Sequence, residues 1–214
     1  MPRPRTYPDD LRDRLVAATL ERLRVHAPED VSLRDLAAEC GTSTNAIYSI
    51  FGGKDELVAS VVPLGLRELT DAAIDLDCAE PGIAALAAAG HRVRAWARSQ
   101  PTLYRLLFNG FNTPGAPSRV SDADFSRVAA MLECLMDEGI VRPDDPSALA
   151  FTLFVCLHGF ILLELDQWPD GGPEADRYFA AMQSHLAAGV ATDGVLEAVA
   201  AAGGAARVTP APTS

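Results

Sequence analysis

No catalytic motif stands out in this 214-residue chain: the residues that could build one are present but not at the spacings that chemistry needs. The four cysteines (Cys40, Cys78, Cys134, Cys156) are far apart, with no C-x-x-C and no histidine at ligand spacing. That pattern excludes the usual zinc sites and reads as buried thiols in a reducing cytoplasm, with a redox sensor as the weaker alternative. Cys156 and His158 are two residues apart, which on a helix turns them away from each other and excludes a nucleophile–base pair. No glycine-rich phosphate loop occurs. The opening MPRPRTYPDD is polar and proline-rich, unlike a secretory signal. Long runs of β-branched residues are missing, which removes the basis for a sheet. Cations are few: 18 Lys and Arg face 29 Asp and Glu, a net charge of −11. A chain this acidic cannot coat nucleic acid indiscriminately. The expectation is an all-α protein, not an enzyme, with no cofactor and no metal.

From Ala148 to Leu163 run 16 residues without Lys, Arg, Asp or Glu, ALAFTLFVCLHGFILL. A membrane span needs about 20 apolar residues and positive flanks. This run is shorter, contains His158 and Gly159, and lacks that flank. A helix apolar all round in a soluble chain is covered on two sides, one by its own domain and one by a partner. The run therefore predicts a homodimer and no membrane partner. With the next helix, about 173–190, it would make a four-helix bundle across a two-fold axis.

What the chain does contain is concentrated between Ser32 and Lys54, SLRDLAAECGTSTNAIYSIFGGK. Ser32 can cap a helix, with Asp35 in its first turn. Leu33, Leu36, Ala37 and Cys40 then share one face. Gly41 stops that helix, and Thr42 or Ser43 can cap the next. The second helix buries Ala46, Ile47, Ile50 and Phe51, leaving Thr44, Asn45, Tyr48 and Ser49 outside. Two short helices around a glycine turn, the second starting with small hydrogen-bonding side chains, form a helix-turn-helix.

At these residues the chain resembles the DNA-binding segment of the TetR family of one-component transcriptional repressors. The parts that match are Leu36-Ala37, Gly41, Ser43, Tyr48-Ser49-Ile50-Phe51 and Lys54-Asp55-Glu56-Leu57. It departs from the family pattern at Asn45, where Gly is frequent, at Ile47, where Leu is, and at Ile50, where His is. Losing the His removes a phosphate contact, and Asn45 places a base-reading amide where Gly would read nothing. Further on, PTLYRLLF (101–108) and LHGF (157–160) resemble a C-terminal domain class with a Trp-His-Gly signature. Phe154 stands in the Trp position, with His158 and Gly159 matching.

Taken in order, residues 1–7 form an arm in which Arg3 and Arg5 are spaced by prolines; it is frayed in the free protein or reaches a minor groove on binding. A first helix over about 8–26 uses Leu11, Leu15, Leu20 and Leu23 as its inner face. Helices over 32–40 and 43–51 complete a head spanning 1–54. A single longer helix is expected over 54–77, bent at Pro63 and Gly65, as the lever between head and body. Arg92, Arg94 and Arg98 are expected to pair with the acidic residues nearby, with anion binding as the alternative. Helices over 82–98, 101–108, 122–138, 148–163 and 173–190 bring the total to about nine, with a loop at 109–121. The body spans 55–192, and 193–214 is expected to be a largely disordered tail. Residues 1–60 hold 8 Arg and Lys against 10 Asp and Glu, a net of −2, so −9 lies in the remainder.

These expectations name a DNA contact set of Arg3, Arg5, Ser32, Arg34, Thr42, Ser43, Thr44, Asn45, Tyr48 and Lys54 on a double-stranded operator. Tyr48 and Lys54 are assigned to phosphates, and Asn45 to a base. The body aromatics Trp96, Tyr104, Phe108, Phe111, Phe125, Phe151 and Phe154, with Thr152, Cys156 and His158 as polar contacts, are the candidate site for a hydrophobic small molecule. The implied function is a cytoplasmic, ligand-responsive repressor. The alternative is an acidic helical ligand-binding or scaffold protein whose head has lost DNA binding.

Overall fold

The computed structural model describes residues 8, 10–74, 82–109 and 122–205. Within them the chain is all-α. Its helices are α1 (Leu11–Leu23), α2 (Leu33–Glu39), α3 (Thr44–Phe51), α4 (Lys54–Ala59), α5 (Val62–Ala73), α6 (Ala84–Ser99), α7 (Pro101–Asn109), α8 (Asp122–Asp137), α9 (Pro146–Gln167), α10 (Pro173–Val190) and α11 (Asp193–Ala205). A 3-10 turn at Pro28–Asp30 leads into α2. Backbone contacts divide the chain into two compact units. One holds the residues up to Ala72 and the stretch from Ala95; the other holds Ala73–Arg94 and the residues from Ser121 on.

The first unit is built on the leucine face of α1. Leu11, Leu15, Leu20 and Leu23 are buried, as their spacing requires. Leu11 and Leu15 join Leu36, Ala37, Cys40, Ile47 and Leu57 in one core, with Leu33, Ile50 and Phe51 packed around it. Burial pushes the Cys40 thiol pKa up, so this cysteine is a packing residue and a poor thiolate.

The expected lever over 54–77 is two helices. Ser60 ends α4, its hydroxyl donating to the Leu57 carbonyl at 2.6 Å, and α5 restarts at Val62. The restart places Pro63 in the first turn of α5, where its missing N–H costs nothing. Gly65 lies within α5. A Cβ there would lie 2.7 Å from Leu107 Cδ2, so the glycine admits α7 close against α5. Two further corrections follow: the break and the additional helix α11 raise the total from nine to eleven among the described residues, and α11 replaces the expected tail over its length.

In the second unit, α8 and α9 pack around Ala129, Leu132, Leu135, Val141, Leu149 and Ala150. Asp145 caps α9, accepting from the Ser147 and Ala148 amides at 2.9 and 3.1 Å, and Pro146 takes the first helical position. By length and composition α9 could cross a membrane. Against that use, its Glu164 is fully buried and forms a fork with Arg94 of α6, at 2.8 Å to Nε and 2.5 Å to Nη2. Asp176 of α10 accepts a further bond from Arg94 at 2.7 Å, and the guanidinium lies 4.5 Å from the centre of the Phe179 ring. Arg94 thus pairs with carboxylates 70 and 82 residues away, while Asp75, Asp77 and Glu80 lie outside the described residues. Arg92 donates to the Ala73 carbonyl at 3.0 and 3.2 Å.

Removing one member of a buried pair strands the other charge, at about 3–5 kcal/mol. Glu164→Ala should therefore lose that much stability in urea unfolding. The double variant Arg94→Met, Glu164→Leu should lose far less. Equal losses would show that Glu164 acts by packing alone.

Candidate nucleic-acid interface

Two serines set the geometry of the helix-turn-helix. Ser32 Oγ accepts from the Asp35 amide and Ser43 Oγ from the Ala46 amide, each at 3.3 Å. Gly41 between the helices has φ +65°, a left-handed conformation that L side chains resist. The Thr42 amide closes the turn onto the Ala37 carbonyl at 2.8 Å. Of the two caps open in the sequence, Ser43 is the one used. Gly52, at φ +93°, ends α3.

Ala46 and Ile47 are completely buried, and this fixes the rotation of α3. Asn45, Tyr48 and Ser49 are exposed and Thr44 is half-buried. They form one continuous uncharged face of hydroxyls, an amide and a phenol. Tyr48 is 54% exposed although it belongs to a helix with a hydrophobic inner side. A phenol on a ring so exposed suits a phosphate or sugar contact more than packing.

Most head cations are already engaged. Arg14 pairs with Asp10 at 3.1 Å, and Arg22 with Glu39 at 2.6 Å. Arg24 pairs with Glu21 and Glu68, and Arg12 lies over the Phe51 ring. Lys54, the chain's single lysine, donates to the Glu29 carbonyl at 2.7 Å. Arg34 is exposed on α2 and pairs with no carboxylate among the described residues. Sequence reading missed the Lys54 tether, because the carbonyl it meets is 25 residues away. Arg3 and Arg5 lie outside the described residues.

The candidate ligand contacts fall into two groups. In the first unit Trp96 and Tyr104 meet edge-on at 6.5 Å and Tyr104 tilts onto Phe108 at 4.8 Å, with Tyr104 and Phe108 buried. Burial also raises the Tyr104 pKa far above its ordinary value, which keeps it a neutral phenol. In the second unit Phe125 meets Phe151 at 5.9 Å and Phe154 at 5.1 Å, and Phe154 stacks on His158 at 5.3 Å. Desolvation lowers the His158 pKa, favouring a neutral ring. Phe151 and Thr152 are exposed, and the Thr152 hydroxyl is occupied by the Ala148 carbonyl at 2.9 Å. Cys156 is half-buried, and Phe111 lies outside the described residues.

Residues 15–61 match the family model for bacterial regulatory proteins of the tetR family, and residues 86–186 match that for a tetracyclin repressor-like C-terminal domain. The chain belongs to the TetR family of transcriptional regulators. Its fold is shared by a protein of unknown function from Rhodococcus sp. RHA1, at 26% identity and TM-score 0.68, covering 89% of this chain and 100% of that one. A TetR family regulator from Marinobacter aquaeolei VT8 aligns at 18% identity and TM-score 0.59, over 86% and 96% of the two chains. A third structure, described as the molecular basis for control of antibiotic production by bacterial hormones, aligns at 15% identity and TM-score 0.63, over 87% and 100%. No curated protein matches the sequence.

Membership of a DNA-binding family gives the α3 face a test. Asn45 projects from the first turn, and its amide can donate and accept together, matching adenine N6 and N7. Asn45→Ala, profiled against randomised duplexes, should flatten preference at one position by about 1–3 kcal/mol and leave the others ranked as before. Uniform weakening would reduce Asn45 to a positioning contact. Arg34→Ala should instead weaken all sequences alike and lower the log-affinity against log-salt slope by about 0.9 per protomer. An unchanged slope would remove Arg34 from the phosphate contacts.

Proposed function

We propose that this TetR-family regulator is a repressor that binds a pseudo-palindromic operator as a homodimer and releases it when a hydrophobic small molecule occupies the body. The observation that carries the DNA half is the outer face of α3, uncharged, hydrogen-bonding and exposed on a helix whose inner side is locked in the head core. Tyr48, Arg34 and Lys54 grip phosphates, and Thr44 and Asn45 read base edges. Ser32 and Ser43 remain phosphate donors as well as caps, because a hydroxyl that accepts from an amide still has its own hydrogen to give.

The homodimer reading is supported by α9. Phe151, Val155 and Leu163 are about half exposed, and Gly159 is exposed on the same stripe. Tyr178 of α10 is 43% exposed. A lone soluble chain rarely leaves such a face in water. Covering it with a second copy yields an isologous four-helix contact and two heads for two half-sites, about 34–36 Å apart. The ligand half is supported by the buried Tyr104–Phe108 pair and the Phe125–Phe154–His158 group, both apolar with few polar atoms. Domain limits of 1–54 for the head and 55–192 for the body serve as working boundaries for this division of labour.

Sedimentation equilibrium at low micromolar concentration should return twice the 22.7 kDa chain mass. Val155→Glu, which sets a charge on the stripe without touching the core, should return the single mass with unchanged helix content. A wild-type monomer would defeat the homodimer reading. A dimeric Val155→Glu would move the interface away from α9.

A further inference from the structure

Three polar side chains from separate helices converge behind the DNA-binding head. Arg24 follows the last residue of α1, Glu68 lies on α5, and Gln100 is the one residue between α6 and α7. Arg24 commits nearly its whole guanidinium here. Its Nε donates to Glu21 Oε1 at 3.0 Å, its Nη2 to both Glu68 carboxylate oxygens at 3.0 Å, and its Nη1 to Gln100 Oε1. The Arg24 and Glu68 side chains are 24% and 33% exposed, so salt screens them less than a surface pair. A planar fork held on several sides fixes orientation as well as distance.

Gln100 connects this group to the body aromatics. Its backbone N–H donates to the Trp96 and Ala97 carbonyls at 3.1 and 3.3 Å, and its backbone carbonyl accepts from the Tyr104 N–H at 2.9 Å. It therefore sits one turn after Trp96 and one turn before Tyr104, whose rings meet edge-on across it. Pro101 supplies no N–H, so the junction has fewer backbone bonds than a continuous helix. A shift of the Trp96 or Tyr104 backbone is carried to Gln100 through these hydrogen bonds. The Arg24–Gln100 bond, with a neutral acceptor, is weaker than the Arg24–Glu68 pair and opens first.

We propose that Arg24, Glu68 and Gln100 form a clasp that holds α1 in the DNA-competent orientation, and that a ligand displacing the Trp96–Tyr104 pair opens it at Gln100. The inference rests on the reading above that these aromatics take the ligand. It assigns the transmission to a side-chain clasp between α1 and the α6–α7 junction, since no continuous lever over 54–77 exists. None of the three residues is placed at the DNA face or among the ligand contacts.

The test compares Gln100→Ala, Gln100→Glu, Arg24→Ala and the Arg24→Ala, Gln100→Ala double variant with wild type. The readouts are affinity for a duplex selected by wild type, affinity for a random duplex, and amide hydrogen exchange of the free protein. Gln100→Ala should weaken the selected duplex about tenfold, within the usual range of coupling between sites, and leave random-duplex affinity and salt slope unchanged. Exchange should quicken across α1 to α4 and stay as in wild type across α8 to α10. Gln100→Glu, which restores an acceptor, should recover both readouts. The double variant should be no weaker than Arg24→Ala, because the two act through one contact. Wild-type affinity and exchange in Gln100→Ala, or multiplying losses in the double variant, would overturn the clasp. A random-duplex loss with a lower salt slope in Arg24→Ala would make Arg24 a phosphate contact instead. If wild type selects no duplex, the DNA reading fails separately, and the exchange measurement still decides the clasp.

Discussion

Ile47 is the constraint on which the head depends. It is fully buried at the centre of α3, against a core that draws on α1, α2 and α4. Because an α-helix turns about 100° per residue, burying Ala46 and Ile47 decides where Asn45, Tyr48 and Ser49 point. Among the described residues, no side-chain hydrogen bond or ion pair holds any of the three. The two serine caps and the left-handed glycine set where α3 begins, and Ile47 sets its rotation. A substitution at Ile47 would therefore act on DNA recognition without touching DNA.

Charge imposes a second constraint. A chain with a net charge of −11 must present its cations selectively if it is to approach a polyanion. The head instead spends several of them internally, on Asp10, Glu21, Glu39 and Glu68. Among the described residues of the head, Arg34 pairs with no carboxylate and Lys54, held by a carbonyl, keeps its charge, a small set for one head. In the homodimer proposed above, two heads would double that set, so dimerisation would supply electrostatics as well as symmetry. The acidic remainder then disfavours docking in wrong orientations.

Local features were legible in the sequence, and long-range pairings were not. Leu11, Leu15, Leu36 and Ile47 follow helical spacing and are buried as that spacing demands. Ser32 and Ser43 cap the helices they precede, because a cap is a contact over three residues. The family likeness at Leu36-Ala37, Gly41 and Tyr48-Ser49-Ile50-Phe51 rests on the same short range, and the family models bear it out. The run from Lys54 was harder, since its pattern continues through Ser60 while Pro63 obliges the helix to restart. Arg94 was assigned to nearby acids because proximity in sequence is all that spacing reveals. Its partners Glu164 and Asp176 arrive only when α9 and α10 pack on α6. The same holds for Gln100, whose role depends on the end of α1, 76 residues earlier. The body aromatics are intermediate: their pairings within one helix follow from spacing, and which group takes a ligand does not.

The most direct test is selection of duplexes from a random library by the wild-type protein, followed by sequencing of those retained. The account predicts an enriched inverted repeat with half-sites about one helical turn apart, as two α3 helices on a two-fold axis require. Enrichment of single, unpaired half-sites, or no enrichment over the starting library, would contradict it.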